Sequence, residues 1–302
     1  MAPDNNILLV VTGPTGIGKT GISIDLARNW DTEIISCDSR QMYREMKIGT
    51  AIPSIEQLNA VRHHFIGNLS IHDYYNVYQY ETETLELLQT LFKKRNIVIL
   101  TGGSGLYLDA VLYGMDDIPD ADPGVREDLT KRIEDEGVSK LADELKEIDP
   151  EYYAEIDRYN PKRILRGLET WYSTGKKFSS FRIRNTGSRP FRPIIINLIM
   201  ERDKLYDRIN KRVDAMVASG LKEEARSLFP HRGLNALNTV GYKEWFDHFE
   251  DKYGENEAVR LIKRNTRHYA KRQITWNRKY DIAMNIGPEG SAEIIRLVDS
   301  MN

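Results

Sequence analysis

The sequence predicts an α/β fold: a phosphate-loop NTPase-like core of parallel strands at residues 1–115 and 194–302, interrupted by a mostly helical insertion at 116–193. Three observations carry that reading. The apolar run Ile7 to Val11 leads into Gly13-Pro14-Thr15-Gly16-Ile17-Gly18-Lys19-Thr20 and then into a helical pattern, the strand, glycine turn and helix start that G-x-x-x-x-G-K-[ST] needs. Further strand-like runs, Ile97 to Leu100 and Ile194 to Met200, are separated from it by helical patterns, as crossovers of a parallel sheet require. Between those runs the charge reverses sign. Asp116 to Asp157 holds sixteen acidic and five basic residues, whereas Arg158 to Arg192 holds ten basic residues against the single acid Glu169.

The loop from Gly13 to Thr20 is a cradle for a diphosphate. Its glycines let successive amide N–H groups turn inward, and the following helix contributes the positive end of its dipole. Lys19 neutralises a phosphate oxygen and Thr20 offers a hydroxyl to a magnesium ion. The helix after it, Lys19 to Asn29, buries Ile22, Ile24, Leu26 and Ala27. Thr32 to Ser36 then forms a second strand and delivers Asp38-Ser39-Arg40-Gln41 to the carboxyl edge of the sheet, where open α/β sheets bind ligands. Asp38 beside a phosphate loop reads as a reactive carboxylate, with a turn cap as the plainer reading.

Pro53 to Arg62 reads as helical. His63, His64 and His72 follow, and their spacing lacks a metal-site pattern, so packed histidines are expected there. Asn76 to Arg95 reads as a long helix with Val77, Leu85, Leu88, Leu91 and Phe92 on its apolar face. The strand Ile97 to Leu100 ends in Thr101-Gly102-Gly103, where an ordinary phosphate-loop ATPase carries an acid for magnesium and water. The glycines there serve a tight turn, close ligand approach, or both.

In the insertion, Val125 to Ile133 and Val138 to Leu145 are amphipathic. Its acidic part reads as a solvated face, and its basic part, ending in Asn185-Thr186-Gly187-Ser188-Arg189-Pro190, as a surface for a phosphate backbone. Past Ile194 to Met200, a helix presents Arg208 and Arg212 four residues apart, placed to grip a diphosphate or to pair with Asp203, Asp207 or Asp214. Ala258 to Tyr280 places Arg260, Arg264, Arg267, Lys271 and Arg278 within about 60° of one another, opposite Ile262, Tyr269 and Trp276. That is a basic stripe suited to nucleic acid.

Composition bounds the rest. The 302 residues, 40% hydrophobic and 29% charged with a formal net charge of -2, suit a globular protein. Cys37 is the single cysteine, which excludes an internal disulfide and a cysteine-based metal site. No run approaches a membrane span, and Met1 to Asn6 shows no basic segment ahead of an apolar one, so a cytoplasmic, non-membrane protein is expected. Two classes fit these parts: a small-molecule or nucleoside kinase with Asp38 as base, and a transferase moving a group from a diphosphate donor onto RNA.

The motifs together resemble the tRNA dimethylallyltransferases, also called tRNA isopentenyltransferases. The resemblance runs through Gly13 to Thr20, Asp38 to Tyr43, Ile48 to Ala51, Gly102 to Tyr107 and Asp122 to Arg126. It continues through Asn160 to Arg166, Val240 to Lys243 and Lys271 to Trp276, and so covers nearly the whole chain. It implies transfer of a dimethylallyl group from its diphosphate to the N6 amine of the adenosine 3′-adjacent to the anticodon, with pyrophosphate released. A relative acting on free adenine nucleotides is the alternative.

The resemblance also implies roles. Asp38 takes the amine proton, while the loop, Lys19, Arg212 and a magnesium ion at Thr20 hold the pyrophosphate. Asp38, Ser39, Arg40, Gln41, Ser104, Arg126, Lys162, Arg163, Lys243, Lys271 and Arg272 match positions that meet tRNA. The insertion would be the domain that grips the anticodon stem-loop of a chain acting as a monomer. Gly103-Ser104-Gly105 departs from a common Gly-Gly-Thr, and Lys162 stands where Gln is common. The absence of a cysteine-rich finger after the basic helix matches the bacterial type.

Overall fold

The computed structural model describes residues 6–182 and 188–301. Residues 1–5, and the Asn185-Thr186-Gly187 part of the expected turn, lie outside them. The chain divides into two compact units, Met1–Leu112 with Ser188–Asn302, and Tyr113–Gly187.

The first unit is built on strands β1 (Ile7–Thr12), β2 (Ile34–Cys37), β3 (His63–His64), β4 (Ile97–Gly102), β5 (Arg192–Leu198) and β6 (Met284–Ile286). They form one sheet in the order β3-β2-β4-β1-β5-β6, with every pairing parallel. All six residues of β1 are buried, as a strand covered on both faces must be. Ile7, Leu9 and Val11 pack with Ile22 and Leu26 of the helix Lys19–Asn29 and Ile209 of the helix Arg202–Ala218. On the other face Leu8 and Val10 meet Leu88 and Leu91 of the helix Val77–Leu91, with Leu108 and Val111. A third cluster around Tyr242, Trp245, Leu221 and Ile262 joins the C-terminal helices Leu221–Leu228, Lys243–Phe249 and Glu255–Asn277.

Several boundaries move from their expected places. The helix expected from Asn76 to Arg95 is Val77–Leu91, because Asn76 caps it and shares a capping box with Gln79. Its buried face includes Glu81, which Arg189 pairs at 2.6 Å, while Val77 and Leu85 are only partly buried. The helix expected from Pro53 to Arg62 is Ile55–Ala60. The strand expected at Thr32 to Ser36 is β2, and β5 starts at Arg192, so Arg192 and Pro193 belong to the sheet.

In the second unit the helices Pro123–Glu136, Val138–Ile148, Pro150–Glu155, Pro161–Thr174 and Phe178–Phe181 surround Leu129, Leu141, Leu145, Ile164, Leu168 and Phe178. Three starts share one local device: Asp122, Asp149 and Asn160 each precede a proline and accept a hydrogen bond from the new helix's first amides. The basic run expected as one phosphate-facing surface is divided. Arg189 is tied to Glu81 and the Ala110 carbonyl, and Arg192 to the Met301 carbonyl, all in the sheet unit. Arg182 pairs with Glu155, and Arg166 donates to the Ile118 carbonyl at 3.2 Å. These guanidinium groups satisfy local acceptors, which a count of charges along the chain does not register.

Gly102 ends β4 where a Cβ would run into the Cys37 carbonyl of the neighbouring strand. Gly102→Ala is therefore expected to lower the denaturation midpoint by the equivalent of roughly 1–3 kcal/mol, the usual cost of overpacking. Urea unfolding followed by circular dichroism checks it, and an unchanged midpoint would contradict the close approach.

Candidate active site

β1, β2 and β4 run side by side, so their carboxyl ends deliver Gly13 to Thr20, Asp38 to Gln41 and Gly102 to Gly105 to one edge. Gly13, Gly16 and Gly18 have φ of 146°, 83° and 110°, values open to glycine and rarely to other residues. Lys19 Nζ donates to the Gly13 and Pro14 carbonyls at 2.8 and 3.1 Å. Burial lowers its pKa to about 8, against the opposing pull of the Asp38 charge.

Lys19 shares a cavity of about 340 Å³ with Thr15, Gly16, Gly18, Thr20, Asp38, Arg208, Lys211 and Arg212. Arg208 Nε donates to the Gly16 carbonyl at 3.0 Å, and Asp214 pairs instead with Lys263 at 2.5 Å. Burial lowers the Arg212 pKa and the nearby Asp38 charge counters it. Lys211 is a third cation from the same helix that the sequence reading had not singled out. Its spacing from Arg208, one helical turn, was the available signal.

Thr20, Ser36, Asp38 and Thr101 line the same cavity, an all-oxygen donor set that suits a hard divalent cation. Among the described residues no group of three or more His, Cys, Asp or Glu is arranged to hold a metal. A magnesium ion here would therefore lean on substrate phosphates and water, its ordinary habit. Two of the three histidines are partly buried: His64 Nε2 lies 2.6 Å from Glu33 Oε2, and His63, which lines this cavity, has Nδ1 2.8 Å from the Val61 carbonyl. His72, expected to be packed, is exposed and meets the His231 ring edge-on at 4.8 Å.

A second cavity of about 520 Å³ is lined by Asp38, Ser39, Arg40, Thr50, Arg212, Lys243, Tyr269 and Arg272. Thr15, Asp38 and Arg212 line both cavities. Asp38 Oδ1 accepts from the Arg40 and Gln41 amides at 2.9 and 3.4 Å, so the carboxylate caps its own turn as well as facing the cavities. Ser104 Oγ accepts from the Ser39 amide at 3.0 Å and lies 3.2 Å from Ser39 Oγ, which joins two of the three strand-end loops. Gln41 Nε2 donates to the Thr50 and Ala51 carbonyls, both at 3.2 Å, and Arg40 donates to the Asn235 carbonyl at 3.0 Å.

Two bracing side chains were not anticipated. Gln273, 6% exposed, accepts from the Thr15 amide at 2.7 Å and donates to the Gly103 carbonyl at 2.9 Å. A Cβ at position 103 would strike its Nε2, and one at position 105 would strike the Trp276 indole. The glycine turn after β4 thus makes room for protein side chains, as well as bending sharply. Glu224 accepts from the amides of Lys47, Ile48 and Gly49 at 2.9, 2.8 and 2.9 Å and from the Tyr242 hydroxyl at 2.7 Å. Nothing marks it in the charged stretch Lys222-Glu223-Glu224.

The helix Glu255–Asn277 and the Arg278 that follows it leave Arg260, Arg264, Lys271 and Arg278 of the expected stripe exposed and Arg267 partly buried, and correct the expected seam. Its buried residues are Ala258, Ile262, Ala270, Gln273 and Asn277, while Trp276 is 40% exposed and Tyr269 lines the second cavity. Arg260 pairs with Glu257, and Arg267 donates to Asn210 Oδ1 at 2.7 Å. Lys271 and Arg272 are exposed. In the helical unit Arg126 forms a two-pronged pair with Glu169, at 2.8 and 3.1 Å, whose carboxylate is 4% exposed as a residue, and Lys162 and Arg163 are exposed.

The chain is similar to known proteins in sequence and in fold. The sequence model of the IPP transferase family matches residues 41–280. The chain is 46% identical over 295 residues to a protein of Phocaeicola vulgatus called tRNA dimethylallyltransferase 1, covering 98% of each. It is 50% identical over 275 residues to a tRNA dimethylallyltransferase of Christiangramia forsetii, covering 91% of each. The crystal structure of the full-length tRNA isopentenylpyrophosphate transferase from Bacillus halodurans superposes with a TM-score of 0.71 at 34% identity, covering 98% of this chain and 96% of that one.

The depressed Lys19 pKa sets a pH dependence. An anion binds the protonated amine, so affinity for inorganic pyrophosphate at fixed magnesium is expected to weaken as pH rises through about 8, by at most tenfold per pH unit. Calorimetry between pH 7 and 9.5 measures it, with Lys19→Met as the variant that flattens the curve; a flat wild-type profile would refute it. Glu224→Gln, which puts an NH2 where amide donors converge, is expected to destabilise by roughly 1–3 kcal/mol. Thermal unfolding beside Glu223→Gln as a control tests this, and equal behaviour of the two variants would contradict the bracing role.

Proposed function

The chain belongs to the IPP transferase family and is a prenyltransferase that acts on tRNA; from that premise we propose which atoms react and which residues move them. The acceptor is the N6 amine of the adenosine 3′-adjacent to the anticodon, and the donor is dimethylallyl diphosphate. One observation carries the reading: Asp38 and Arg212 line both the cavity of the phosphate loop and its neighbour, so a carboxylate and a cation stand where donor and acceptor spaces adjoin.

In that arrangement the diphosphate lies along the loop Gly13 to Thr20, on amides other than that of Thr15, which Gln273 holds. Lys19, Arg208, Lys211 and Arg212 surround the oxygens on which negative charge grows. The C1–O bond of the allylic donor breaks with its electron pair passing to pyrophosphate, N6 bonds to C1, and the amine's proton passes to Asp38. Thr20, with the phosphates, would hold a magnesium ion, which supplies further charge neutralisation to the leaving group. An adenine stacked in its loop cannot reach Asp38, so the base is turned out of the stack into the larger cavity beside Ser39, Arg40, Tyr269 and Arg272.

Lys243, Lys271 and Arg272 on the sheet unit, and Lys162 and Arg163 on the helical unit, are exposed cations available to RNA phosphates. Arg126, by contrast, is held two-pronged by Glu169, with its side chain 54% exposed, and would meet RNA only as one half of that pair. The helical unit would grip the anticodon stem-loop. The working unit would be a monomer, and tRNA as substrate supports a cytoplasmic setting.

Transfer of label from radiolabelled dimethylallyl diphosphate to an unmodified anticodon stem-loop, with free AMP in parallel, tests the reading. Label is expected on the stem-loop and not on AMP, and Asp38→Ala is expected to lower kcat by roughly 10²–10⁴-fold. Label on AMP alone, or an Asp38→Ala enzyme of undiminished kcat, would overturn it.

A further inference from the structure

Among the described residues of the helical unit, Tyr159 is the aromatic residue most open to solvent. Tyr159 is 90% exposed, so its ring buries almost no surface in the folded protein. The turn that carries it is nonetheless fixed. Asp157 Oδ1 accepts from the Tyr159 amide at 3.0 Å, and the Asp157 carbonyl accepts from the Asn160 amide at 3.1 Å. Asn160 then caps the helix Pro161–Thr174 through the Lys162 amide, with Pro161 in the first turn.

Cations frame the ring. Arg158, Lys162 and Arg163 are all exposed, and no acid occurs between Arg158 and Arg166. Arg158 is set against the Tyr153 ring at 5.2 Å. Asp157, the nearest acid in sequence, has one carboxylate oxygen engaged in the turn. An aromatic face with cations on either side in sequence matches the chemistry of a single-stranded nucleotide, whose base offers a stacking face and whose flanking phosphates offer charge.

We propose that Tyr159 is a stacking platform for an unpaired base of the bound RNA, with Lys162 and Arg163 meeting the adjoining phosphates. The proposal rests on the tRNA reading of function and deepens it by naming how the helical unit meets the loop. Folded RNA exposes base faces in its loops and bulges, and these are what aromatic side chains take up. An aryl ring on a braced turn contributes area with little ordering entropy to lose.

Fluorescence anisotropy with an unmodified anticodon stem-loop, at several salt concentrations, separates stacking from charge. Tyr159→Ala is expected to bind roughly tenfold more weakly at every salt concentration with the salt slope unchanged, a typical loss for one stacked base. Tyr159→Phe should bind like wild type, and Arg163→Ala should reduce the salt slope by about 1. Thermal unfolding of Tyr159→Ala is expected to match wild type, because the ring is exposed. A 2-aminopurine scan of the loop should find one position quenched by wild type and not by Tyr159→Ala.

Equal affinity of Tyr159→Ala and wild type, or loss of binding in Tyr159→Phe, overturns the platform while leaving the function standing. Failure of the wild-type chain to bind the stem-loop counts against the tRNA reading itself and removes the platform with it.

Discussion

Parallel pairing is the constraint on which the rest of this molecule depends. When six strands all run the same way, every carboxyl end falls on one edge, and the loops that leave those ends must crowd together. Here the phosphate loop, the Asp38 turn and the glycine turn after β4 meet for that reason. The crowding desolvates Lys19 and Arg212, and each is held charged partly by Asp38. Buried cations around a glycine loop are compensated best by an incoming anion. In the proposed reaction a departing pyrophosphate would provide that anion, and more of it in the transition state than in the ground state.

The loops are braced by side chains from elements far along the chain. Gln273 pins the Thr15 amide and the Gly103 carbonyl together, Ser104 ties the β4 turn to Ser39, and Gln41 holds the segment at Thr50 and Ala51. Glu224 gathers three successive amides and a tyrosine hydroxyl behind that segment. Buried polar groups of this kind are costly when unpaired, so a satisfied set favours one loop arrangement over its neighbours. The helix that carries Gln273 also presents Lys271 and Arg272 to solvent. One rigid element thus serves the loop on one face and offers cations on another.

The helical unit is organised locally. Proline-led helix starts capped by Asp122, Asp149 and Asn160 set its turns, and Leu129, Leu141, Leu145 and Leu168 fill its centre. Its charges divide by partner. Arg126 and Arg182 are engaged with acids of the same unit, while Lys162 and Arg163 stand clear in a first helical turn.

The legible part of this protein was the part encoded by near neighbours. Strand, glycine loop and helix at Gly13 to Thr20 follow from about fifteen consecutive residues, as do the helical periods of the insertion and the placement of Asp38 just past a strand. The tertiary structure alone decided which charged residues remained available. Arg189 belongs to Glu81 and Arg267 to Asn210, and Trp276 lies at the surface where periodicity put it in a seam. It alone revealed Gln273 and Glu224, because their hydrogen bonds cross 258 and 176 residues of chain. A side chain's charge and helical phase are properties of its own stretch of sequence. The partner that satisfies it is a property of distance in three dimensions, which only the folded chain determines.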